Sequence, residues 1–112
     1  MRGFLLAAAL TAFGSGAQAD ATAMCLALGA PEALCTCATE ALAAEIAAED
    51  AALYDTIGTR YLANMTAGQG RAEAWDTAIA ESAAEAGLGS TALLTRMNAA
   101  GSAHRTAMQG CG

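Results

Sequence analysis

The chain has no lysine and no valine, a single proline at position 31, and few aromatic residues. Each shortage excludes something. With no lysine, the glycine pairs Gly68-x-Gly70 and Gly87-Leu88-Gly89 cannot open a nucleotide-binding P-loop, and neither follows a strand; they are read as turns between helices. With no valine and few other β-branched residues, strands are disfavoured. The abundance of alanine and the lone proline favour helix throughout. Basic residues number five against eleven acids, for a formal charge of −6. A surface of that sign repels phosphate backbones and anionic lipid, so neither nucleic acid nor a polybasic membrane contact is expected.

What is present begins with Met1-Arg2-Gly3, followed by the apolar run Phe4 to Phe13, the breaker Gly14-Ser15-Gly16 and the small-residue site Ala17-Gln18-Ala19. These are the three parts of a cleavable secretory signal peptide, and residues 1–19 are assigned to one. The run is roughly half the ~20 apolar residues that a spanning helix needs. Processing would start the mature chain at Asp20, as one helical domain over residues 20–112 with no membrane segment left. It removes Arg2 and both phenylalanines, leaving Tyr54, Tyr61 and Trp75 as the aromatics. The apolar core that remains is thin. Four cysteines in an exported chain of this size are therefore read as two disulfides.

Asp20 to Gly29 is read as a short leader. Pro31 and Glu32 suit the first turn of a helix. At 100° per residue Cys35, Leu42, Ile46 and Leu53 share one face, with Cys37 nearly opposite. An unbroken helix from Pro31 to Met65 would be about 50 Å long. The apolar stripe also rotates at Tyr54, Ile57, Tyr61 and Met65, so a break is expected near Ala47–Glu49. The second helix then runs to about Thr66. The third covers Arg71 to Ala86 and stops at Gly87. Ser90 is a candidate N-cap for the last helix, where Leu93, Met97, Ala100, His104, Met108 and Cys111 line one side. The expected fold is all-α, a four-helix up-and-down bundle stapled by two disulfides.

Helix phase also suggests a pairing. Cys35 and Cys111 both project inward and are expected to bridge, leaving the leader's Cys25 to fold over Cys37. Cys25–Cys35 with Cys37–Cys111 is the alternative. A direct Cys35–Cys37 bridge is geometrically poor, because residues i and i+2 on a helix point apart.

Three functional readings compete. Cys35-x-Cys37 with Met24, Met65, Met97, Met108 and His104 could carry copper or another soft metal in an exported protein. Oxidised cysteines and gap-filling methionines explain the same residues without a metal. His104, the one histidine, could act as a general base in a small enzyme. No nucleophile elbow or metal-ligand spacing accompanies it, so a structural histidine on an apolar face is the simpler reading. Arg60, Asp55, Asp76 and Arg105 read as a solvated face. The expectation is a non-catalytic interaction or structural protein with no cofactor and a possible protein partner.

The signal peptide, Cys25-x9-Cys35-x-Cys37, the acid-rich helices and the C-terminal Cys111 together resemble small four-cysteine periplasmic proteins of proteobacteria. The resemblance implies a periplasmic location and a helical fold. It implies no activity, since those proteins are mostly uncharacterised.

Overall fold

A computed structural model describes residues 20–112; the proposed signal peptide lies outside them. Five helices and no strand occur among the described residues. They are α1 (20–27), α2 (Glu32–Glu45), α3 (Ala48–Thr66), α4 (Arg71–Ala86) and α5 (Ser90–Cys111). The expected breaks fall where the sequence placed them. Ile46 and Ala47 are extended, and Glu49 and Asp50 occupy the first turn of α3, at the positive end of its dipole. Gly87 takes the left-handed conformation that ends α4, its backbone N–H bonding the Ala83 carbonyl.

The all-helical class stands, but the four-helix detail does not. Residues 20–27 are a fifth helix, not a leader, and three of them, Ala21, Met24 and Cys25, are buried. The packing order also departs from an up-and-down bundle. The glycine turns at 67–70 and 87–89 reverse the chain so that α3 packs on α4 and α4 on α5. The α2–α3 break contains no glycine, and those two helices barely touch. α2 packs on α5, which also meets α3 and α4, so the last helix is the hub. Ser90 opens α5 as its first residue, and Gly89 occupies the cap position without a side-chain bond.

The core runs through Leu42, Ile57, Ile79, Leu93 and Met97. Ala38, Ala74 and Ala78 are fully buried beside them, which lets helix backbones approach closely where large side chains are scarce. Gly58 does the same for α1, since a Cβ there would lie 2.7 Å from Cε of Met24. Asn64 Nδ2 donates to the Ala74 carbonyl and joins α3 to α4.

The disulfides are Cys25–Cys35 and Cys37–Cys111, the opposite of the favoured pairing. Cys35 does point inward, as its helical phase requires, and is fully buried. What it meets there is α1, whose own Cys25 is also fully buried. Thr22 on the same helix donates to Thr39 Oγ1 at 2.7 Å, and Thr39 donates to the Cys35 carbonyl. Cys111 lies in the last turn of α5, beside the start of α2, where the exposed flank carries Cys37. The adjacent Gly112 lies close to Leu34 of α2.

Candidate ligand cavity

A cavity of about 550 Å³ opens between α1, α3, α4 and α5. All four methionines of the described chain line it: Met24 from α1, Met65 from α3, and Met97 and Met108 from α5. Tyr54, Tyr61 and Trp75 complete the apolar wall. Three edge-on contacts organise these rings. Tyr54 stands 6.1 Å from Trp75 and 5.6 Å from the His104 ring, and Tyr61 stands 5.6 Å from Trp75. Such T-shaped pairs set the positive edge of one ring against the negative face of another. Trp75 Nε1 donates to Asn98 Oδ1 at 3.0 Å, fixing the indole between α4 and α5.

His104 is buried in this wall, as its place on the apolar stripe of α5 suggests. Its Nδ1 lies 2.8 Å from the Tyr54 hydroxyl. That hydroxyl has no other acceptor among the described residues. Donation from Tyr54 to Nδ1 satisfies the phenol and places the histidine proton on Nε2. The reverse arrangement would strand both the phenolic proton and the Nε2 lone pair. Nε2 is buried and has no partner among the described residues. Burial lowers the pKa of His104, which keeps the ring neutral, and raises that of Tyr54, which keeps the phenol protonated. The pair is neutral, and its unpartnered Nε2–H is enclosed beside the cavity.

The arginines divide into two kinds. Arg60 pairs with Glu85, and Arg96 with Asp50 and Glu49. Arg71 and Arg105 make no ion pair among the described residues, and both line the cavity. Arg105 follows His104 on α5 and acts through space on Tyr54, lowering its pKa in opposition to burial. It therefore belongs to the same end of the cavity as the histidine. Arg105 is exposed, as its reading as part of a solvated face expects, and that face borders the cavity. Helical spacing could not have singled out Arg105, because no arginine of α3, α4 or α5 has an acid three or four residues away.

The residues proposed from sequence for soft-metal binding separate here. Both cysteine pairs are oxidised, so Cys35 and Cys37 offer no thiolate. The four methionines and His104, spread along the chain, do meet at one cavity. No protein-family model matches this chain, and no curated protein or solved structure is significantly similar to it.

Proposed function

We propose that the protein is an exported, non-catalytic binding protein that holds a small, largely apolar molecule in this cavity. One observation carries the reading: the methionines and aromatics of a chain poor in large side chains converge on one hollow of about 550 Å³ instead of filling it. That volume lies within the range of ordinary small-molecule sites, roughly 300–1,000 Å³. Unbranched thioether side chains adapt their shape to a guest, which suits a wall that must close on a flexible molecule. Two disulfides support an oxidising compartment, and the make-up of residues 1–19 supports export to the periplasm. No helix among the described residues is long and apolar enough to cross a membrane.

The neutral dye N-phenyl-1-naphthylamine tests this reading on oxidised protein. One saturable site per chain, with quenching of Trp75 emission, is expected. Natively folded protein that shows no saturable dye binding would overturn it.

A second reading, carriage of a soft metal such as Cu(I), is favoured by the four thioethers and the His104 imidazole around the same hollow. The two unpaired arginines weigh against a cation there. Titration with Cu(I) under a competing chelator separates the two, and a tight one-to-one complex lost in Met97→Leu would favour the metal.

A further inference from the structure

Building on the apolar-cavity reading, we infer that the natural ligand is a single-chain amphipathic carboxylate. Its tail lies among the methionines, and its carboxylate is held by Arg105 and Arg71.

Charge placement comes first. After loss of Arg2 the chain keeps four arginines among eleven acids, so potential partners outnumber the cations. Two of the four take such partners, joining α3 to α4 and α5 to α3. Among the described residues, the two that do not are the two on the cavity, one from the first turn of α4 and one from the latter half of α5. Neither α4 nor α5 places them near each other through helical spacing. Only the tertiary fold brings them to one hollow.

The chemistry of the mouth is the second observation. Arg71 and Arg105 are both exposed there, above a lining of methionine and aromatic side chains. A purely hydrocarbon guest would leave both guanidiniums without a partner, and a cationic guest would be repelled by them. A carboxylate accepts from one guanidinium through two parallel bonds and keeps lone pairs for the second. The remaining wall is mostly thioether, aromatic and aliphatic, with the Asn98 amide, which gives a hydrocarbon tail its burial and offers no second charge. A chain of about ten carbons falls in the size class that sites of this volume take.

The experiment displaces the neutral dye with three ligands that share a ten-carbon tail: decanoate, decanol and decylammonium. Decanoate is expected to bind at least tenfold more tightly than decanol, and decylammonium more weakly than either. The double variant R71Q/R105Q should cut the preference for decanoate over decanol to twofold or less. R60Q, which alters an arginine outside the cavity, should retain it. Equal displacement by decanoate and decanol would overturn the inference, as would a preference that survives in R71Q/R105Q. Displacement by none of the three, with the dye still bound, would also overturn it while leaving the apolar-cavity reading intact. Failure of the dye itself to bind would remove that reading instead. Co-flotation with phosphatidylglycerol vesicles, in place of binding the free carboxylate, would show that the arginines serve a lipid surface and would overturn the inference as well.

Discussion

Two halves of this molecule are held together by different means. In one half, α1, α2 and the end of α5 are joined covalently, Cys25–Cys35 tying α1 to α2 and Cys37–Cys111 tying α2 to α5. In the other, α3 and α4 form a hairpin held by buried alanines, Ile57, Ile79 and edge-on aromatic rings. The cavity lies where the halves meet: α1 supplies one wall, and α3 to α5 supply the others. A small chain with few large side chains cannot hold a cleft open between its helices and rely on packing alone. The disulfides supply on one side what core volume supplies on the other. α1 is the extreme case: at about two turns it is too short to be a stable helix by itself.

Breaking the covalent half should have the largest effect. The Cys37–Cys111 bridge closes a separation of 74 residues, and replacing both cysteines with alanine is expected to cost about 4 kcal/mol in the chain-entropy model. The Cys25–Cys35 bridge closes only 10, and its removal should cost about 3 kcal/mol. The shorter bridge matters more for the cavity, because it fastens the wall that carries Met24. Urea midpoints measured beside dye affinity should therefore rank the two bridges in opposite orders. An identical order in both measurements would break the comparison.

The non-covalent half should be most sensitive at Ile57, which is fully buried at the α3 side of the core. Ile57→Ala is expected to destabilise by about 2–4 kcal/mol, as core truncations of this kind do. Calorimetry that found less than about 1 kcal/mol would mean that this region collapses around the loss, and that its packing is looser than described.

A smaller effect is expected where the halves share a polar contact. Tyr54→Phe removes the donor to His104 Nδ1 and leaves a buried acceptor unmade, at a cost of about 1–3 kcal/mol. The variant should also free the ring to change tautomer, visible in the imidazole ¹⁵N shifts. Unchanged stability and unchanged shifts together would place the histidine proton elsewhere than on Nε2.

The mildest of these effects depends on pH and lies at the start of α1. Burial, and next the neighbouring Asp20 carboxylate, push Asp55 up to about 6, while the Ala21 backbone N–H pulls it the other way. A folded-state pKa above the unfolded one means that the folded chain keeps its proton longer. The contribution of Asp55 to stability should therefore be fully present below about pH 4 and be lost as the pH rises to about 6. Asp55→Asn should flatten that slope. In protein processed to begin at Asp20, the new α-ammonium adjoins this pair of carboxylates, so the slope should be smaller than in unprocessed chain. Intact mass identifies the processed form, and urea midpoints across the range read the slope. A slope that is the same in wild type and Asp55→Asn would contradict the assignment.

The helix boundaries were legible because local chemistry sets them: acids at the start of α3, and glycines at the turns before α4 and α5. The inward phase of Cys35 and the burial of His104 were legible for the same reason, since helical period alone fixes them. The disulfide partners were not. They depend on residues 20–27 being helical, and about two turns hold too few residues for a period to show. The order of packing was also hidden, because α2 and α3 are neighbours in sequence yet meet other helices in space. The cavity was the least legible feature. Met24, Met65, Met97 and Met108 read as gap-fillers when considered one at a time, and nothing in their spacing shows that they surround one hollow. The freedom of Arg71 and Arg105 from acids is likewise a tertiary fact.

The cavity itself can be tested by filling it. Gly101 lines it from α5, and a Cβ added there would meet nothing within 4 Å. Gly101→Leu should therefore push a side chain into the hollow without displacing the core, and a better helix former should preserve or raise the melting temperature. Titration of the neutral dye into wild type and Gly101→Leu, with Trp75 emission as the readout, is the direct measurement. One saturable site is expected in the wild type, and its loss in a variant that is at least as stable. Undiminished binding by folded Gly101→Leu would contradict it.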